Sequence, residues 1–162
     1  MAAPSRRIKI QGAGPTAAGG KPPVGDVRVE VDVQNTGDLI LVEGGALRQD
    51  EVRSEHVRMV ADSGAIMLAL PQELVERLGL RERRKAVVVY ADGRKEELPI
   101  AGPVTVRVGE REMVTECLVL PPNAEPLLGQ IPLEAMDLLV DCSQQRLVPR
   151  PESPYLPLIA LR

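Results

Sequence analysis

The chain of 162 residues has no Phe, no Trp and only two Tyr. Its length suits one domain with a core of ordinary size, so that core has to be aliphatic, packed from Val, Leu, Ile and Met. Cysteine is scarce too. Cys117 and Cys142 stand apart without a Cys-x-x-Cys spacing, and the single His56 cannot complete a zinc set with them. They read as free, partly buried thiols, and thiol catalysis would need His56 beside one of them. No stretch approaches the roughly 18 apolar residues of a membrane span. Arg6-Arg7 could open an export signal, but no apolar segment follows, which leaves a cytoplasmic protein as the expectation. A net charge of −3 and a pI near 5.3 argue against a nucleic-acid footprint. The basic run Arg81 to Lys85 is broken by Glu82 and reads as a solvated helix exit.

Three regions follow from composition. Residues 1–25 are rich in Gly, Ala and Pro and predict a mobile tail. Residues 26–150 hold the ordered domain, and residues 151–162 form a proline-rich, loose arm. Within the domain, Val27, Val29, Val31 and Val33 alternate with polar residues, the period of a half-buried strand. Asn35-Thr36-Gly37-Asp38 reads as a turn. A second strand, from about Val52 to Val60, leads into Asp62-Ser63-Gly64, and a short strand ends at Leu70. Pro71 opens a helix in which Leu74, Val75 and Leu78 share a face, with Gly79 at its C-terminal cap. Residues 85–120 read as antiparallel strands: 85–90, the turn Ala91-Asp92-Gly93-Arg94, 95–100, 103–108, a turn at Gly109, and 113–120. Leu127-Leu128-Gly129 is extended, Pro132 opens a second short helix, and residues 138–149 suggest a last hairpin around Cys142.

Asp62 raises the functional question, since it lies between apolar segments. A turn residue, a helix cap, a metal ligand and a catalytic acid all compete for it. Asp-Ser-Gly is ordinary turn chemistry, and by average residue frequencies an Asp-(Ser/Thr)-Gly-Ala tetrapeptide turns up in roughly one chain of this size per hundred. Order and spacing are more specific. Asp62-Ser63-Gly64-Ala65, Leu70-Pro71 with Leu78-Gly79-Leu80, Tyr90-Ala91-Asp92-Gly93-Arg94 and Pro126-Leu127-Leu128-Gly129 together resemble the retropepsin-like aspartic peptidases, in particular a bacterial group, over about residues 26–150.

That resemblance implies a mainly β fold: a closed acid-protease-type β-barrel with one or two short helices, homodimeric, each subunit giving one aspartate to a shared site. A count of residues agrees, because the chain holds one Asp-(Ser/Thr)-Gly and no second copy. A paired-carboxylate mechanism must borrow its partner across a two-fold axis. The implied activity is aspartic endopeptidase chemistry on a peptide or unfolded protein, with no metal and no organic cofactor. Asp62, Ser63 and Gly64 would form the catalytic loop, Ser63 locking the two loops together or making only a local turn bond. Ala65 would leave room for substrate. Tyr90, Asp92 and Gly93 would belong to a substrate-covering flap or to an ordinary surface hairpin. Leu127, Leu128 and Gly129 would be structural support behind the loop. Two departures stand out: the hairpin tip has one glycine where retroviral flaps have several, and Ile66 and Met67 replace acidic residues, so the subsites should be more apolar. Asp137 and Asp141 read as solvated turn residues. The competing functions are an inert dimeric peptide-binding module and a monomeric barrel with a structural Asp turn.

Overall fold

The computed structural model describes residues 25–161. The tail expected over residues 1–25 thus falls almost wholly outside the described residues. The architecture is mainly β, with nine strands, three short helices and one 3-10 turn among the described residues.

β1, Val27–Asn35, buries Val27, Val29, Val31 and Val33 and turns Arg28, Glu30 and Asp32 outward, as alternation along a pleated strand requires. It pairs antiparallel with β2, Ser54–Ala61, from Val27 opposite Ala61 to Gln34 opposite Ser54. The segment between them was expected to turn at Asn35–Asp38. Instead α1, Thr36–Glu43, begins there, because the Asn35 side chain accepts the Asp38 N–H at 3.0 Å and so caps a first-turn donor. The Asn35 amide also donates to Leu78 O at 2.8 Å, tying this helix start to the next helix.

That next helix, α2, covers Gln72–Arg77 after the short strand β3, Leu68–Pro71. It ends in two reverse bonds, Gly79 N–H to Glu76 O and Leu80 N–H to Val75 O, with Gly79 at φ +63°. A left-handed residue is what this helix stop needs, and glycine takes it without steric cost. The basic run Arg81 to Lys85 is not a helix exit. It opens the edge strand β4, Arg81–Val89, because the glycine stop ends the helix and the chain re-enters the sheet against an apolar partner. That partner is β5, Lys95–Val108, one strand where two were expected. Its register shifts between Ala101 and Val104, so Gly102 and Pro103 are accommodated without ending the strand. β6, Arg111–Leu120, β7, Leu127–Leu128, α3, Gln130–Ala135, and the hairpin of β8, Leu138–Asp141, with β9, Arg146–Pro149, complete the chain. The third helix corrects the expectation of one or two; it is α1, hidden in what looked like a turn.

Seven strands form one sheet in the order β1-β2-β7-β3-β6-β5-β4, and β1 also pairs with β5. The ladder therefore returns on itself through six strands, with β4 outside the ring. One apolar cluster fills the interior, with Met59, Leu68, Leu70, Leu74, Leu128, Met136 and Leu147 fully buried beside the valines of β1 and β5. Cys117 lies in this cluster and Cys142 is exposed, so the two thiols are not alike.

Candidate active site

The site grows out of the way β7 is inserted. This two-residue strand runs parallel to β2, with Val60 opposite Leu127 and Ala61 opposite Leu128, and antiparallel to β3, with Ala69 opposite Leu127. The loop of residues 62–67 must then leave β2, pass over the end of β7 and enter β3. Asp62 stands at the exit from β2, where its N–H continues the ladder by donating to Leu128 O at 3.0 Å.

Within the loop, Asp62 Oδ1 accepts the Gly64 N–H at 2.8 Å, and Asp62 O accepts the Ala65 N–H at 3.2 Å. The carboxylate thus has one oxygen committed to the loop backbone and its other oxygen uncommitted by any hydrogen bond among the described residues. Gly64 does not adopt the left-handed region. Its glycine identity serves close approach instead, since a Cβ there would lie 3.1 Å from Asp62 Oδ1. Asp62 is half-buried, Ser63 and Gly64 are exposed, and Ala65 is half-buried.

The far side of the loop is clamped by α3. The first amides of a helix have no partner inside it, and here they face the loop: Gln130 N–H donates to Ala65 O at 2.7 Å and Ile131 N–H to Ile66 O at 2.9 Å. Pro132, next in line, has no N–H to satisfy. Gly129 allows this contact. A Cβ at Gly129 would fall 2.4 Å from Met67 O and 2.8 Å from Ala65 O, closer than backbone atoms tolerate. Leu128 is fully buried beneath the loop and Leu127 half-buried. Gln130 and Ile131 were not singled out from sequence; the signal was a glycine followed by two residues with free amides and then a proline.

Ser63 borders a groove of about 280 Å³ together with Gln130, Leu133, Glu134 and Leu139. Ile66, Ile131 and Leu139 are exposed apolar side chains at 69%, 47% and 43%; Ile66 belongs to the Asp62 loop, Ile131 is bonded to it through its amide, and Leu139 shares the groove that Ser63 borders. An apolar rim thus borders the loop that carries Asp62.

The hairpin with Tyr90, Asp92 and Gly93 is built from its own contacts. Tyr90 O accepts the Gly93 N–H, Asp92 Oδ1 accepts the Arg94 N–H, and Gly93 takes φ +85°. The Tyr90 hydroxyl donates to Glu96 at 2.6 Å and its ring lies 4.4 Å from the Arg94 guanidinium. The hydrogen bond to Glu96 raises the pKa of Tyr90 above its ordinary value. These three residues are tied to each other, and among the described residues no hydrogen bond or ion pair joins them to Asp62.

Asp137 was expected on a solvated turn and is instead buried, 2% exposed. Oδ2 accepts Ser153 Oγ–H and the Leu158 N–H, and Arg150 Nε lies 2.8 Å from Oδ1 as a charge contact without hydrogen-bond alignment. The bond from Ser153 leads the causes that hold its pKa below the ordinary carboxylate value. Arg111, also buried, donates to Met136 O at 2.8 Å, Asp137 O at 3.0 Å and Ser153 O. The proline-rich arm is therefore pinned as far as Leu158. Asp141 is a turn residue, its Oδ1 accepting from Ser143 and Gln144. Among the described residues no three His, Cys, Asp or Glu side chains are grouped to hold a metal ion, and no helix is long and apolar enough to cross a membrane.

A comparison with curated proteins returns no match. A family model described as "gag-polyprotein putative aspartyl protease" matches residues 49–135, more than half of the chain, from the 3-10 turn before β2 through the Asp62 loop to the end of α3. With the match enclosing both the acidic loop and the Leu127–Gly129 segment beneath it, the chain belongs to the retropepsin-like aspartyl protease family.

Proposed function

We propose that the protein is an aspartic endopeptidase whose active form is a homodimer, with Asp62 of each chain forming the catalytic pair. The observation that carries this reading is the apolar rim of Ile66, Ile131 and Leu139 beside a loop that offers only one carboxylate. A second copy applied to this face would cover the rim and bring the missing acid at once. The ladder that returns on itself through β1 and β5 supports the closed barrel of such enzymes.

The chemistry follows from two carboxylates held close together, which share one proton because both cannot ionise easily. The ionised Asp62 takes a proton from a water between them, and the water oxygen attacks the scissile carbonyl carbon. The other Asp62 gives its proton to the carbonyl oxygen, stabilising the charge that develops there. As the tetrahedral diol collapses, the pair's proton goes to the nitrogen, the C–N bond breaks, and a diol hydroxyl returns its proton to the pair as it becomes the new carboxyl group, which restores the shared-proton state. The Gly64 N–H fixes Oδ1 throughout, so Oδ2 is the oxygen left for water. Ser63, exposed beside the axis, would bond the opposite loop and hold the pair in register. Ala65 leaves space next to the acid. The hairpin of Tyr90, Asp92 and Gly93 would close over an extended peptide and add backbone bonds to it as a strand does. Neither metal nor organic cofactor takes part. Two unpaired cysteines suit a reducing compartment, the cytoplasm.

The test is cleavage of an unfolded protein at acidic to neutral pH. Asp62→Asn keeps the Oδ1 that Gly64 binds, so the fold should survive while the rate falls by about 10²–10⁴. Equal rates for the two proteins would reject the reading. A peptide that binds tightly and stays whole would point to the inert peptide-binding module.

A further inference from the structure

The basic run at the start of β4 has no part in the proposed catalysis, yet its side chains are not spread evenly over solvent. A cavity of about 380 Å³ lies between the start of α1, the end of α2 and the bend of β5, and Arg53, Arg81 and Arg83 all border it. Its volume is that of a small-ligand site. Gly37, Gly79 and Gly102 form part of its wall, so a ligand could reach the backbone.

The charges are unequal. Arg53 is held by Asp38 in a two-pronged pair, Nε to Oδ2 and Nη2 to Oδ1, each at 2.9 Å. That pair consumes the one carboxylate in the lining and fixes the Arg53 guanidinium against Gly79, where a Cβ would overlap Nη1 at 1.8 Å. Arg84 is matched by Glu116 at 2.6 Å and Lys85 by Glu97 at 3.3 Å. Arg83 is left 3.9 Å from a Glu116 already engaged, and Arg81 makes no ion pair among the described residues. Two positive charges in excess thus face a cavity on a chain whose net charge is −3. Since Asp38 already sits in the first turn of α1, the attraction comes from the guanidinium groups and not from the helix end.

We propose that this cavity binds a doubly charged oxyanion of the phosphate-monoester class, gripped by Arg81 and Arg83 with Arg53 standing ready as a fixed third donor. Guanidinium forks match the oxygens of phosphate two at a time, and two surplus cations suit two anionic charges better than one. The inference is independent of the proteolytic reading, because the site shares no residue with the Asp62 loop and its test measures binding alone.

Calorimetric titration of the full chain at low salt decides it, with inorganic phosphate, phosphoserine and acetate as probes. Saturable one-to-one binding of phosphate is expected, weaker by roughly tenfold or more in Arg81→Gln/Arg83→Gln and unchanged in Arg28→Gln, near the end of β1 away from Asn35 and outside the cavity lining. Binding of phosphoserine should tighten as pH rises through about 6, where the second charge of a phosphate monoester appears. Tighter binding of phosphoserine than of phosphate would assign the site to a phosphorylated partner, and the reverse to the free ion. Amide shifts in the unaltered chain should centre on Gly37, Gly79 and Gly102, which keeps the test valid should the double variant misfold. Absence of saturation, equal binding by the double variant, acetate bound as tightly as phosphate, or shifts centred elsewhere would each overturn the proposal.

Discussion

Gly129 shows how one residue can hold the Asp62 loop in shape. The obstacle to any side chain there is backbone, Met67 O at 2.4 Å and Ala65 O at 2.8 Å, which cannot swing aside as a flexible side chain would. Gly129→Ala should therefore cost about 2–3 kcal/mol, the upper part of the range for overpacking, and lower Tm by roughly 5–10 °C. Activity should fall further than stability, because the two α3 amides that clamp the loop are displaced with it. An unchanged melting curve would contradict the geometry. The cysteines give a second test at this scale. Burial pushes the Cys117 thiol up to about 12, whereas Cys142 is exposed on the β8–β9 turn. A thiol-specific reagent should modify one cysteine in the native protein, identified as Cys142 by mass, and both only after unfolding.

Among the elements, the arm after β9 is the one whose behaviour differs most from its composition. Proline-rich and polar in places, it suggested a loose end, but Arg111 from the start of β6 and Asp137 from the end of α3 clasp it at Ser153 and Leu158. Arg111→Met should release the segment beyond Pro149 to proteolysis and hydrogen exchange while the sheet stays protected. Asp137→Asn should cost about 1–3 kcal/mol at neutral pH, because the Ser153 and Leu158 donors lose a charged acceptor and the half-exposed Arg150 and buried Arg111 lose a neighbouring negative charge. The acid dependence has a definite sign. With its folded pKa lowered, Asp137 contributes stability that is complete above its unfolded value near 3.8 and fades as pH falls through the lower folded value. Melting curves of wild type and Asp137→Asn should converge on acidification below that point; a gap that stays constant would show that the charge is irrelevant.

At the scale of the whole molecule the decisive property is association. One chain supplies one acid in the Asp62 loop, and the apolar rim beside it is the surface a partner copy would cover. Ile131→Glu places a charge in that rim without disturbing the backbone amide that Ile131 donates to the loop. The wild-type protein should sediment with the mass of two subunits at working concentration, and the variant with that of one, losing cleavage in parallel. A wild-type protein that cleaves peptide while sedimenting as a single subunit would defeat the dimer mechanism.

How much of this could be read in advance depended on whether the signal was local. The alternation Val27 to Val33, the Asp92-Gly93 turn, the glycine that ends α2 and the Asp62-Ser63-Gly64 loop are each specified by neighbours a few residues apart, so the sequence alone determined them, along with the family they jointly indicate. Asn35–Asp38 was misread because an Asx turn and a helix cap use the same side-chain bond, and only continuation of the chain tells them apart. Asp137 was misread because burial depends on Arg111, at the start of β6, and on Arg150 and Ser153, in the arm after β9, closing over it from distant parts of the chain. Juxtapositions of residues distant in the chain, such as α3 amides on the loop of residues 62–67 or Arg53 and Arg81 on the lining of one cavity, arise when the sheet brings strands together, and tertiary structure alone decided them.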